Sequence, residues 1–391
     1  MNALSPLPES APLKLAMSVD TLRFPLTGIG RYTLELAAQL ARRDDLDLLC
    51  MRAGTLLPGL PQVLPGTDDR RRVRDLLSRF GLPVEVYRRW SEFTRARALR
   101  GHADRLFHGT NFYAPTFKGR CVLTLHDASV RRFAHTHRQD RVRFMLKEVE
   151  RSLRQTSMVI TVSEFARREI AELWDWPHEA IRVTPLAASE VFRPHSDGLL
   201  ACTMQRLNLR ARGYCLYVGT VEPRKNLGTL LDAYVRLPLA LRQYYPLVVA
   251  GYRGWESDTL HHRLQQAAAQ GWLRYLGFVE DSLLPALVAG ARLFVFPSRY
   301  EGFGLPVLEA MASGVAVVCS DAASLPEVGG AAARYVPPDD VDGWQQHIQR
   351  ALEDDHWRQA LVTQGLAQAA QFSWRRCADL TVAAYREVQA H

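Results

Sequence analysis

Short, uniformly apolar runs alternate along the chain with longer stretches in which apolar residues recur every three or four positions. A first series comprises LAMSV (15–19), LDLLCM (46–51), RLFH (105–108), CVLTL (121–125), MVITV (158–162) and IRVT (181–184). A second comprises CLYVG (215–219), LVVAG (247–251), LRYLG (273–277), LFVFP (293–297) and VAVVC (315–319). Runs of this length that are apolar throughout, separated by helical periodicity, predict parallel strands covered on both faces. Two such series predict an α/β protein with two doubly wound domains. Between them TPLAASEVFRPHSDG (184–198) has two prolines and no period, which fits a connector with a boundary near 196. The expected division is therefore 1–195, 196–372, and a final helix over 373–391 that opens with Ser373 as N-cap.

At 391 residues, with 47% hydrophobic and 23% charged residues, the chain is globular and too long for one ordinary core. No apolar stretch reaches the roughly 18–20 residues that cross a bilayer, and the start lacks the pattern of a secretory signal. A cytoplasmic protein is expected, with its six cysteines reduced and mostly in the core. Residues 1–195 carry 31 Lys and Arg against 22 Asp and Glu, whereas the remainder carries 18 against 19, so the net charge of +8 belongs to the first half. The excess gathers in Arg70–Arg74, Arg88–Arg105 and Arg131–Arg154. Solvated helix faces, an anionic membrane surface or a phosphate-bearing acceptor all fit it; the interleaved aromatics of a single-strand nucleic-acid binder are missing.

Candidate chemistry falls where strands end. TGIGRYTLELAAQL (27–40) is a glycine turn opening an amphipathic helix, suited to a phosphate or to a purely structural turn. Thr33 stands where a dinucleotide fingerprint needs glycine. CVLTL runs into His126-Asp127, and a histidine there can bond a sugar hydroxyl or a phosphate, with Asp127 as a turn cap in the alternative reading. Ser163, before FARREIAELW, reads as an N-cap. CLYVG is followed by TVEPRKN, which sets Arg224 and Lys225 before a helix start, an arrangement suited to a diphosphate. LFVFP leads into SRYEGFGLPVLEAMASG, where Glu301 precedes the Gly302-Phe303-Gly304 turn and Glu309 lies in the following helix. Glu301 can accept from sugar hydroxyls and Glu309 from the two hydroxyls of a ribose. The pairs Asp45/Asp47 and Asp340/Asp342 satisfy a D-x-D spacing, but their placement suggests surface structure, and no His or Cys spacing suggests zinc.

The E-x7-E spacing with GFGLPVLEAMASGVAVV, together with TGIGRY, LHD, TVSEFAR, YVGTVEPRKN, YLGFVED and a terminal helix opening FSW, resembles the retaining glycosyltransferases of family 4 over nearly the whole chain. The resemblance implies the GT-B fold, two Rossmann-like domains facing a central cleft with the last helix packing back on the first. It implies that Gly28 and Gly30 approach the donor phosphates and that His126 contacts the transferred sugar. Gly219 and Thr220 would lie beside the donor, with Arg224 and Lys225 clamping its diphosphate. Glu301, Gly302, Phe303, Gly304 and Leu305 would form the sugar-side loop, Glu309 would hold the ribose, and Phe278 and Val279 the base. Thr220 stands where many members have arginine, which leaves Arg224 as the substitute.

By the same resemblance no cofactor or metal is required beyond a nucleotide-sugar donor. A GDP-sugar is favoured over a UDP-sugar, with mannose or a deoxy-mannose such as rhamnose transferred to a lipid-diphosphate-linked glycan of a surface polysaccharide or O-antigen. Peripheral contact with the inner membrane face is expected, and nucleic acid is not. The rival readings are a UDP-sugar transferase, an epimerase of the same fold, and a non-catalytic membrane or nucleic-acid module, which would leave the glutamate pair unexplained.

Overall fold

The computed structural model describes residues 11–23, 25–61, 84–134, 139–254 and 258–390. The basic stretch Arg70–Arg74 lies outside the described residues. The first sheet holds β1 (Leu13–Ser18), β2 (Leu46–Arg52), β3 (Thr55–Pro58), β4 (Leu106–Gly109), β5 (Cys121–Thr124), β6 (Met158–Thr161) and β7 (Ile181–Val183), in the order β3-β2-β1-β4-β5-β6-β7. The second holds β8 (Cys215–Val218), β9 (Leu247–Ala250), β10 (Leu273–Gly277), β11 (Leu293–Phe296), β12 (Ala316–Ser320) and β13 (Arg334–Val336), in the order β10-β9-β8-β11-β12-β13. All pairings are parallel except β2 with β3. The chain order reverses between β1 and β4 in one sheet and between β8 and β11 in the other. Crevices open at such switch points, beyond the carboxyl ends of the strands.

The interior strands β4, β5, β6, β9 and β11 are buried at every residue, as uniformly apolar runs require. Two strands are additional to the eleven read from hydrophobic runs. β3 folds back through Ala53 and Gly54, both at positive φ (54° and 86°), and Asp20 Oδ1 holds the Ala53 amide at 2.7 Å. That pairing is fixed by turn geometry rather than by apolar content. β13 has three residues with only Val336 buried, too short and too polar to stand out.

The last helix, Trp374–Ala390, packs on helix Gly28–Leu40 and on β6. Ser373 Oγ accepts from Arg376 N at 3.1 Å, which starts it. Tyr385 Oη meets the buried His108 Nδ1 at 2.6 Å, and Glu387 pairs with Arg182. The helix thus belongs to the core of the first half, although it follows the second half in sequence.

Further bonds join the halves across the crevice. Ser163 Oγ caps helix Glu164–Trp174 by accepting from Ala166 N at 3.0 Å, and donates to Gly302 O at 2.6 Å. The Glu327 carboxylate accepts from the next two amides, Glu164 N at 2.9 Å and Phe165 N at 3.2 Å. A carboxylate at a helix N-terminus is favoured by both orphan amides and dipole. Tyr300 Oη accepts from Ala128 N at 2.9 Å and donates to the buried Glu169. The two sheets therefore face one another with their strand ends held together.

Candidate active site

A cleft of about 470 Å³ lies between the halves. From the first half come the loop before helix Gly28–Leu40 and the end of β5; from the second come the loops after β8, β9, β10 and β11. Each is the carboxyl end of a strand, the position that a doubly wound sheet leaves open.

The glycine turn sets the floor. Gly304 has φ +102°, a conformation open mainly to glycine, and a Cβ there would stand 2.5 Å from Leu325 Cδ2. A Cβ on Gly302 would lie 2.1 Å from His126 O, so only glycine lets this loop meet the opposite half. Phe303 turns away from solvent, edge-on to Phe372 at 5.9 Å. Helix Leu305–Ala312 follows, with Leu305 in the cleft wall.

Arg224 and Lys225 occupy a short 3-10 turn after β8, and both reach Glu301. Lys225 Nζ lies 2.6 Å from Glu301 Oε1, and Arg224 Nη1 3.2 Å from Oε2. Arg224 also donates to Tyr300 O at 2.5 Å and to Glu222 at 2.6 Å. Burial by itself would raise the Glu301 carboxyl, but Lys225 and Arg224 overcome it and hold the group below the ordinary range. Burial pulls Lys225 below its usual value, with Glu301 opposing. Burial likewise disfavours the Arg224 charge, yet Glu301 and Glu222 outweigh it and bind the proton more firmly. The cations are poised on a carboxylate that an anionic ligand would displace or share.

His126 faces them from β5. Its Nε2 lies 3.1 Å from Thr110 O, and its ring meets Tyr32 edge-on at 4.7 Å. Because a carbonyl only accepts, Nε2 carries the hydrogen and Nδ1 is left as an acceptor. Burial lowers its pKa despite the Thr110 carbonyl and Asp127, so the ring is neutral near pH 7. Asp127 accepts from Ser129 N at 2.9 Å and lies near the Arg224 charge.

Most sequence candidates come together here: Gly28, His126, Gly219, Thr220, Arg224, Lys225, Phe278, Val279, Glu301, Gly302, Phe303, Gly304 and Leu305 all line the cleft. Two do not. Gly30 sits within the first helical turn, where a Cβ would stand 3.0 Å from Thr21 O, and packs instead of facing the opening. Glu309 lies one turn into its helix on the buried side, 6% exposed and outside the cleft lining to which Asp281 belongs. Its charged neighbour is Arg31, with Nε 3.8 Å away; Arg31 Nη2 lies 3.8 Å from Asp281 Oδ1. Burial chiefly, with Asp281 adding and Arg31 opposing, raises the Glu309 carboxyl to about 7.

Four site residues escaped the sequence reading: Arg31, Glu222, Tyr252 and Asp281. Tyr252 and Phe278 stack at 4.9 Å with 16° between their planes, both about half-exposed at one end of the cleft. Asp281 lines the same end, and its Oδ2 is buried without a hydrogen-bond partner among the described residues. Tyr252 directly follows LVVAG and Asp281 ends YLGFVED, so strand-end position was the available signal. The D-x-D acids are structural: Asp45 pairs with Arg43 and Arg386, Asp340 caps a helix at Gly343 N, and Asp342 pairs with Arg236.

Two family models match: Glycosyltransferase Family 4 over residues 26–188 and Glycosyl transferases group 1 over residues 205–368. The chain is 44% identical over 379 residues to the O-antigen chain mannosyltransferase B of Escherichia coli, covering 96% of this chain and 100% of that protein. It is 30% identical over 247 residues to the MMP alpha-(1->4)-mannosyltransferase of Mycolicibacterium hassiacum, 62% of this chain and 56% of that one. Among solved structures, Anabaena Alr3699/HepE in complex with UDP and glucose superposes with a TM-score of 0.71 at 16% identity, covering 96% and 99% of the two chains. WaaG, a glycosyltransferase involved in lipopolysaccharide biosynthesis, gives 0.70 at 16% identity over 95% and 98%.

Proposed function

The chain belongs to the group 1 glycosyltransferases of family 4, and from that membership we propose that it moves mannose from GDP-mannose, with retention of configuration, onto a lipid-linked glycan in O-antigen or related surface-polysaccharide assembly. One observation carries this reading. Arg224, Lys225 and the Gly302–Gly304 turn converge on one cleft wall, where a diphosphate leaving group would sit.

When the glycosidic bond to the donor breaks, negative charge grows on the β-phosphate, and fixed cations and amides aimed there stabilise the transition state more than the ground state. Arg224 and Lys225 supply the charge, and Glu301 keeps both oriented until the donor arrives, then accepts from sugar hydroxyls. Neutral His126 accepts a hydroxyl hydrogen at Nδ1 from the opposite side. Acceptor attack on the face from which the phosphate leaves lets the departing oxygen take the acceptor proton. Glu309 is placed at the ribose by its family position; it lies outside the cleft lining in this structure, so this role requires its side chain to turn from Arg31 toward the donor.

A guanine base is favoured by Asp281. Guanine presents N1–H and N2–H₂ side by side, a match for one carboxylate, whereas uracil presents a single N–H between carbonyls. The Tyr252–Phe278 pair gives the base an aromatic surface. We read residues 1–195 as the acceptor-binding half and 196–372 as the donor-binding half. Trp90, 62% exposed on helix Val84–Ala98 with exposed Arg97 nearby, is suited to peripheral contact with anionic lipid. No helix among the described residues is long and apolar enough to cross a membrane.

Calorimetric titration of GDP, UDP and ADP, followed by transfer of labelled mannose from GDP-mannose to a mannoside, tests the proposal. GDP binding tightest, with transfer, is expected. UDP or ADP binding tighter than GDP would overturn the base assignment, and donor binding without transfer would overturn the activity.

A further inference from the structure

Tyr300 immediately precedes Glu301, and its main chain and side chain are bonded in different halves of the molecule. On the donor side, its carbonyl accepts from Arg224 Nη1 at 2.5 Å and from Ser298 Oγ at 3.2 Å. Arg299 N, one residue earlier, donates to Arg224 O at 2.9 Å. The backbone leading into Glu301 therefore fixes Arg224 at both its main chain and its guanidinium.

The side chain crosses to the first half. Its ring is buried between Phe133 at 5.3 Å and Phe165 at 5.7 Å. Its hydroxyl accepts from Ala128 N at 2.9 Å and donates to Glu169, whose carboxylate Arg132 Nε holds at 2.6 Å. Burial chiefly, with Asp127 and Glu169 adding, raises the phenol far above its usual pKa, so it keeps its proton and both bonds keep their direction. Ala128 lies two residues after His126. Gly302 lies two after Tyr300 and meets the His126 carbonyl so closely that a Cβ on it would stand 2.1 Å away. One buried hydroxyl thus ties the segment carrying His126 to the segment carrying Glu301 and Arg224. Phenylalanine would fill the same space but take the acceptor from the buried Ala128 amide and the donor from Glu169.

We infer that Tyr300 is a positioning residue for the transfer step: its hydroxyl sets His126 in one half against the Arg224–Glu301 pair in the other, although Tyr300 itself does not line the cleft. The inference rests on the sugar-transfer reading and adds to it the group that aligns the two sides of the site. Bond breaking requires both sides in place at once, and displacement by a fraction of a bond length is costly there. Nucleotide contacts fall within the second half and do not need that alignment.

The test compares full-length wild type with Tyr300→Phe, Glu169→Leu and Glu169→Gln in mannose transfer from GDP-mannose and in GDP titration, with melting temperature as the check on folding. Tyr300→Phe should lower kcat about ten- to a hundredfold, the cost of misplaced reacting groups. Donor KM and GDP affinity should stay within about twofold of wild type, which separates alignment from binding. Glu169→Leu removes the same bond from the other side and serves if Tyr300→Phe does not fold. Glu169→Gln keeps an acceptor for the hydroxyl and should stay closer to wild type than Glu169→Leu. Unchanged kcat in Tyr300→Phe, GDP affinity falling in step with kcat, or Glu169→Gln as slow as Glu169→Leu would overturn the inference. Hydrogen exchange at the Ala128 amide, measured without donor, should quicken in Tyr300→Phe, and an unchanged rate would also overturn it. A wild type that transfers no mannose would overturn the sugar-transfer reading instead, and the exchange result, which needs no turnover, tells the two failures apart.

Discussion

If Glu309 holds the ribose as proposed, it couples stability to donor binding, and replacing it with glutamine should separate the two. The carboxylate is buried, its nearest cation, Arg31, stands 3.8 Å away, beyond hydrogen-bond range, and Asp281 adds like charge. Its pKa is raised to about 7 from an ordinary 4.5, a gap equivalent to about 3 kcal/mol. An acid whose folded pKa is raised binds more protons folded than unfolded. Its contribution to stability is therefore full below 4.5, declines as pH rises, and is lost once pH passes about 7. Glu309→Gln removes that decline. Urea denaturation should show near-equal stability for variant and wild type at pH 5 and a gain of up to about 3 kcal/mol for the variant at pH 8. GDP affinity at pH 8 should fall about ten- to a hundredfold, the value of hydrogen bonds to a charged acceptor. Wild-type GDP affinity should itself weaken as pH drops below about 7, because the acid must first lose its proton. A variant less stable than wild type at pH 8, or equally altered at both pH values, would refute the reasoning; so would unchanged GDP affinity, for the ribose role.

Lys225→Met should lower turnover about a hundredfold or more while shifting the donor KM much less, as steady-state kinetics would show, because its charge matters most where charge develops. Asp281→Asn should narrow the preference for GDP over UDP about tenfold in competitive titration. Gly304→Ala should destabilise the protein by more than about 1 kcal/mol in denaturant melts, from a backbone at φ +102° and the clash with Leu325. The protein should float with anionic liposomes at low salt and be released at high salt, and Trp90→Ala should reduce flotation.

Periodicity and apolar run length were sufficient for both sheets, because parallel strands buried on two faces leave an unmistakable signature. They did not reveal β3, whose pairing depends on the Ala53-Gly54 turn, or β13, which buries only Val336. Within the site, the cluster of Arg224, Lys225, Glu301 and the glycine turn was legible because each member follows an apolar strand. Spacing alone could not show that Lys225 and Glu301 would bond each other at 2.6 Å, or that Glu309 would point inward toward Arg31. Those facts depend on how the two halves meet. That meeting is fixed by long-range pairs such as Ser163 with Gly302 and Glu327 with the start of helix Glu164–Trp174, which no local pattern encodes.

A crystal structure with intact GDP-mannose bound would test the central claim most directly. The account predicts both phosphates within hydrogen-bond distance of Lys225 Nζ, the Arg224 guanidinium or the amides of the Gly302–Gly304 turn, with the 2.6 Å contact between Lys225 and Glu301 opened or shared. A diphosphate bound elsewhere, with that contact intact, would contradict it.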